Sequence, residues 1–200
     1  MTLINALPTD DTSRHTELEL FHAMVDRFRT MPKATIAVIE GICRGGASEL
    51  ALSFDMRFAT LDRAVFAQPE VSLGIIPGGS GTQRLPVLVG RSRALEVVLG
   101  CADIDAATAE RWGYVNRALP DSELRPFVEA LATRIASFPA ATVARAKAAV
   151  DAALVEPISG LLFEAQQFRA SLSDPETHPR LEAFMERGGQ TRAVEVQGVI

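Results

Sequence analysis

The sequence predicts an α/β fold: a mixed core of short strands and helices, followed by a helical C-terminal region. Three observations carry this. Short apolar runs rich in branched residues alternate with short helix-forming stretches as far as residue 119. Glycines and prolines punctuate the alternation. From Pro120 onward strand signals stop and amphipathic helices follow one another. The chain is therefore expected to divide into a core at 1–119 and a helical region at 120–200.

The elements follow in order. In residues 16–30, Leu18, Phe21, Val25 and Phe28 recur at three- and four-residue steps, which predicts an amphipathic helix that Pro32 stops. "ATIAVIEG", 34–41, is short, branched and apolar without polar alternation, and is expected to be a strand buried on both faces. "ASELALSF" follows two glycines and contains helix formers. "MRFAT" and "AVFAQ" predict two more short strands. "GTQRLPVLVG" and "SRALEVVLG" predict short helices broken at Pro86, Gly90 and Gly100. "DAATAERWG" predicts a helix and "YVNRAL" a strand, with Trp112 a packing residue. Beyond Pro120, Leu124, Phe127, Leu131, Ile135 and Phe138 line one face of a long helix. "AATVARAKAAVDAAL", "GLLFEAQQFRASL" and "RLEAFMERG" complete the helical region. No internal repeat is present.

Composition narrows the function. A chain of 200 residues, 48% hydrophobic, is long enough for one sizeable core. The net charge is -5 and the only lysines are Lys33 and Lys147, so no basic block offers a nucleic-acid surface. The apolar runs are too short to span a bilayer. "MTLINALPTDDTSRH" has no basic region followed by a long apolar segment, so no signal peptide is expected. Cys43 and Cys101 lie far apart and form no CxxC pair, which suits a reducing compartment. A soluble cytoplasmic protein without membrane or nucleic-acid partners is the expectation. His15, His22 and His178 sit at no metal-ligand spacing and there is no HExxH, so no metal site is expected and no histidine receives a role.

Two stretches carry the chemistry. In "GICRGGASELAL", Gly45 and Gly46 end the turn after the strand at 36–40. The helix beginning near Ala47 would leave its first N–H groups without intrahelical partners, at the positive end of its dipole. That makes a backbone site for a developing negative charge. Glu49, in the same first turn, fits either a carboxylate that only meets the dipole or half of an acid–base pair. Glu70, in "QPEV", fits either a solvated loop residue or the other half. Burial of the pair would raise their pKa values and favour one proton held near neutrality. The loop "IIPGGSGTQRL" matches no phosphate motif, because Thr82 and Gln83 follow Gly81 where a P-loop needs Lys and Ser or Thr. Arg84 stands where a dinucleotide fingerprint needs glycine, and Ser80 lacks the glycine two places on that a nucleophile elbow needs. A tight loop leading into a helix, able to line a pocket, remains.

Taken in order behind an apolar strand, "GICRGGASELALSFDMRFAT", "VFAQPEVSLGIIPGGSGTQRLPVLVG" and "GCADIDAATAERWGYVNRAL" resemble the crotonase superfamily, the enoyl-CoA hydratase/isomerase family. The resemblance runs from Lys33 to Leu119 almost without gaps. It implies a crotonase-like spiral of ββα units with C-terminal helices that pack trimers or pairs of trimers. It implies an acyl-CoA thioester as substrate, with coenzyme A present as part of that substrate and no separate cofactor. Gly46 matches the residue whose N–H stabilises the thioester oxyanion. Glu49 and Glu70 match the two acids that position water and move a proton to or from the α-carbon. Gly45, Pro77, Gly78 and Gly79 match the pocket lining. Phe168, Phe184 and Arg187 match positions that cover the adenine and phosphates of coenzyme A. Hydration of a 2-enoyl-CoA is the implied reaction, because both acids are retained; an enoyl-CoA isomerase, or a non-catalytic binding or assembly subunit, is the alternative. The resemblance also implies an N-terminal portion with the opening strands and a second oxyanion donor. Nothing in this chain matches it, so a shortened version of an active enzyme is expected, with an apolar sheet edge left bare.

Overall fold

The computed structural model describes residues 11–73 and 75–154, together with positions 175, 179, 182, 183 and 186. The chain divides into two compact units, Met1–Arg134 and Ile135–Ile200.

The first unit opens with α1 (Asp11–Thr30), then β1 (Ile36–Ile39), β2 (Ile42–Arg44) and α2 (Gly46–Leu52). Next come β3 (Met56–Thr60), β4 (Val65–Ala67), a 3-10 turn (Glu70–Leu73), α3 (Gly81–Val89) and α4 (Arg91–Gly100). β5 (Ile104–Asp105), α5 (Ala106–Trp112), β6 (Arg117–Leu119) and α6 (Asp121–Ala136) follow. In the second unit the described helix is α7 (Ala140–Ala152), which buries none of its side chains.

The first four strands alternate between two small sheets, and β5 then joins the second sheet and β6 the first. One has the order β1-β3-β6 and is parallel throughout; the other has the order β2-β4-β5, with β2 parallel and β5 antiparallel to β4. Each circuit of the chain thus lays one strand in each sheet, the ββα spiral. Parallel neighbours cannot be joined by a tight hairpin, so a helix or long loop must intervene. α2 fills that role between the first pair of strands and the second.

Both sheets feed one core. Ile39, Ala59 and Ala118 from the first meet Cys43, Phe66 and Ile104 from the second, and Leu85, Val97, Ala109 and Tyr114 close over them. Burial pushes the Cys43 thiol up to about 11, so it packs as a small apolar group. Side chains alternate across a strand, so Phe58 faces away from Ala59. It meets Leu124 and Val128 of α6, with Leu119 and Phe127 at their side.

Three expectations change. The Gly45–Gly46 turn does not directly follow the strand at 36–40, because β2 stands between them. Strand β1 is not buried on both faces: Ile39 is buried but Val38 is 37% exposed. Among the described residues β1 pairs with β3 alone and so forms an edge. β2 is likewise an edge, and its Ile42 is 69% exposed. The two edges flank an apolar groove of ≈ 420 Å³ that also takes in Ala47, Leu50 and Phe54. Pro86 does not break its helix, which continues from Gly81 to Val89. The proline ring already holds a helical φ, and its missing N–H costs the helix one bond.

The turn before β6 is held from beneath by a buried arginine. Arg57 of β3 donates from Nε to the Tyr114 carbonyl and from Nη1 to the Phe54 carbonyl. Its backbone exchanges bonds with Asn116: the Arg57 N–H donates to Asn116 Oδ1, and the Asn116 N–H to the Arg57 carbonyl. Burial pulls its pKa below the usual guanidinium value. Replacement by methionine keeps much of the stem but strands two carbonyls, so Arg57→Met should lower unfolding free energy by about 2–4 kcal/mol in urea titration. An unchanged midpoint would show that the carbonyls find other partners.

Candidate active site

The site is built where the second sheet hands its chain over to helices. β2 ends at Arg44, and Gly45 then turns with φ of 54°. Only glycine adopts that conformation without strain. The Gly45 N–H donates to the Ala67 carbonyl at the end of β4, which ties this turn to the segment leading to Glu70. There is no room for a larger residue: a Cβ on Gly45 would lie 2.8 Å from Glu70 Oε1. Gly46 is the first residue of α2, so its N–H has no intrahelical acceptor. A Cβ there would meet nothing within 4 Å, so open space lies beside that N–H.

Glu49, in the first turn of α2, is only 4% exposed. Its Oε1 accepts from the Gly79 N–H at 2.7 Å and from the Gly81 N–H at 2.8 Å. Gly81 opens α3, so the carboxylate of one helix caps the start of another. Ser80 between the two donors adopts φ of 93°, the left-handed turn that points both amides the same way. Glu70 opens the 3-10 turn after Pro69 and is 8% exposed. Its Oε2 is buried without a hydrogen-bond partner. Burial raises its pKa above the ordinary 4.5; its own backbone N–H works against the rise, and the charge of Glu49 adds to it.

A buried polar chain braces both acids from behind. Tyr114 Oη and Ser48 Oγ share a hydrogen bond of 2.5 Å, and Gln68 Nε2 donates to Ser48 Oγ at 3.3 Å. Ser48 immediately precedes Glu49, and Gln68 stands two residues before Glu70. Burial, with Ser48 bonding in opposition, drives the Tyr114 hydroxyl well above the usual phenol range, so it stays protonated.

Glu49, Glu70, Gly45, Gly46 and Gly79 therefore come together. Pro77 is buried, with its Cβ 3.1 Å from where a Gly81 Cβ would sit, and Gly78 meets His22 through its carbonyl. Phe168, Phe184 and Arg187 lie outside the described residues. Gly81, Gln68, Tyr114 and the Phe21–His22 pair were missed from sequence. Phe21 shows there only as one residue of an apolar stripe, and His22 carries no motif at all. Among the described residues no three His, Cys, Asp or Glu side chains gather as a metal site. No helix there is long and apolar enough to cross a membrane.

An oxygen without a partner beside a second carboxylate, next to an open backbone N–H, is a place where a proton and a developing oxyanion can both be handled. Three comparisons with known proteins bear on the family and the fold. A family model described as enoyl-CoA hydratase/isomerase matches residues 6–191. A protein named probable enoyl-CoA hydratase from Mycobacterium tuberculosis is 36% identical over 168 residues, 84% of this chain and 65% of that protein. A crotonyl-CoA hydratase from Syntrophomonas wolfei is 38% identical over 158 residues, 78% of this chain and 60% of that protein. The crystal structure of an enoyl-CoA hydratase from Bacillus anthracis superposes with a TM-score of 0.85 at 31% identity, covering 90% of this chain and 69% of that one. The chain thus spans just under two thirds of the length of the curated relatives it matches.

The Glu70 shift has a consequence for stability. The folded state holds this proton more tightly than the unfolded chain, so the contribution is fully present below 4.5 and is lost as pH rises through the folded value. Glu70→Gln removes the penalty: its Tm should exceed the parent's by a few degrees at neutral pH, and the gap should close as pH falls below 4.5 in thermal melts.

Proposed function

The chain belongs to the enoyl-CoA hydratase/isomerase family, and from that premise we propose that it adds water across the double bond of a 2-enoyl-CoA. The carrying observation is the buried Glu70 carboxyl, raised in pKa and with one oxygen unpartnered, set near Glu49 beside the Gly45–Gly46 turn. A raised pKa suits an acid that delivers its proton in the transition state. Glu49, fixed at Oε1 by two amides, keeps Oε2 for a water.

In this proposal the thioester carbonyl accepts from the Gly46 N–H. Water loses a proton to Glu49 as its oxygen bonds to the β-carbon. The π electrons move onto the carbonyl oxygen as an enolate, which Gly46 stabilises. Glu70 then gives its proton to the α-carbon, and solvent returns the Glu49 proton to Glu70. The balance is one water added and no net change in the protein. Losing one oxyanion donor of this kind typically costs about 2.7–4 kcal/mol of barrier. Gly45, Pro77, Gly78 and Gly79 would wall the pocket, and Phe168, Phe184 and Arg187 would cover the nucleotide end of the thioester. The names short-chain-enoyl-CoA hydratase and crotonyl-CoA hydratase on two relatives favour a short acyl chain.

We infer a cytoplasmic homotrimer, or dimer of trimers, on the strength of the resemblance and of helices whose apolar faces need covering. An assembly subunit without turnover is the second reading. The open edges of β1 and β2 favour it, since an unpaired edge and an apolar groove invite another chain.

Turnover of crotonyl-CoA, followed by loss of the enoyl absorbance, separates the two. Glu49→Gln and Glu70→Gln should each lower kcat by about 10²-fold or more with little change in KM. Parent-like rates in both variants would refute the assigned roles. Association without turnover in the parent would favour the assembly reading.

A further inference from the structure

Helix α1 reaches the catalytic acid through a single peptide group. The His22 Nε2 lies 2.5 Å from the Gly78 carbonyl oxygen, across 56 residues of sequence. A carbonyl only accepts, so Nε2 carries the hydrogen. The next amide, that of Gly79, donates to Glu49 Oε1 at 2.7 Å. The Gly78 C=O and the Gly79 N–H are the two ends of one planar trans peptide. They point in opposite directions, so His22 grips one end of a rigid plate and Glu49 the other. Phe21, the neighbouring residue on α1, packs close to Gly79: a Cβ there would fall 2.3 Å from Phe21 Cε1. Asp26, one helical turn beyond His22, meets the Arg84 guanidinium at 3.8 Å, so α1 reaches both the turn and the helix α3 that follows it.

We propose that His22 is a positioning residue for Glu49, acting through the Gly78–Gly79 peptide. A peptide whose oxygen accepts a hydrogen bond becomes a stronger donor at its nitrogen, by about 10–30% per bond. His22 therefore orients the Gly79 N–H and strengthens its bond to Glu49. The side chain itself is exposed, and in the proposed reaction it acts only through that peptide.

The coupling is independent of turnover, and only its catalytic consequence rests on the hydratase proposal. The test compares the whole chain with His22→Ala and His22→Gln by ¹H–¹⁵N NMR and amide exchange. In His22→Ala the Gly79 amide proton should move upfield and exchange up to about tenfold faster, the worth of one hydrogen bond. The Gly45 amide, which bonds to Ala67, should not move. His22→Gln offers an N–H donor in the same place and should restore the Gly79 signal. With crotonyl-CoA, kcat should fall by up to about tenfold in His22→Ala at constant KM and recover in His22→Gln. A Gly79 amide that is identical in a folded His22→Ala overturns the proposal, as does an unchanged kcat in an active parent. An inactive parent whose Gly79 amide responds as described would sink the hydratase proposal and support this coupling.

Discussion

One carboxylate oxygen organises this molecule. Glu49 Oε1 receives the Gly79 and Gly81 amides, and through them α2 is joined to the turn at 77–81 and to the start of α3. Without that acceptor, two buried N–H groups at a helix start would face an apolar interior, at a cost of about 1–3 kcal/mol each. The same contact fixes the acid's rotamer and leaves its second oxygen for chemistry. Stability and proposed catalysis therefore share an atom. A buried polar group that is fully satisfied on one side and available on the other is the arrangement expected of a preorganised site.

The second acid is placed by a different force. Glu70 hangs from the end of β4, and β4 pairs in parallel register with β2, which delivers the Gly45–Gly46 turn. Arg44 opposite Ala67 is the last rung of that ladder, so both strands end at the same level. The step of 21 positions from Glu49 to Glu70 is a full circuit of the spiral. Tyr114, Ser48 and Gln68 then lock the two strand ends together in a buried network. Its donors and acceptors are not all matched: Gln68 Oε1 also lacks a partner.

Much of this was legible in the sequence, and the remainder failed for physical reasons. Helix and strand periodicity located "MRFAT", "DAATAERWG" and the long helix from 121, because each has one clear apolar face or a short branched run. The double glycine marked the turn, because φ of 54° together with ψ of -131° at Gly45 suits glycine alone. What periodicity does not carry is neighbourhood. Whether "ATIAVIEG" is central or at an edge depends on which strands lie beside it, and so Val38 came out exposed. Pro86 looked like a stop because the expected cost of an interior proline is real, yet in a nine-residue helix one lost bond is tolerated. His22 was invisible for the same reason that Glu49 and Glu70 stayed ambiguous. Contacts across 21 or 56 residues leave no local pattern, and the family resemblance supplied the acids but not the histidine.

The glycines at 45, 79 and 81 leave one more consequence. A methyl group on any of them would fall within 3 Å of a carboxylate oxygen: Glu70 Oε1 at the first, Glu49 Oε2 and Oε1 at the others. The two acids are thus held in place partly by atoms that are missing. A comprehensive substitution scan of this chain would find these backbone positions intolerant because of the acids packed against them. Engineering that reshapes the pocket must treat each glycine and its acid as one unit, since enlarging the small partner evicts the charged one.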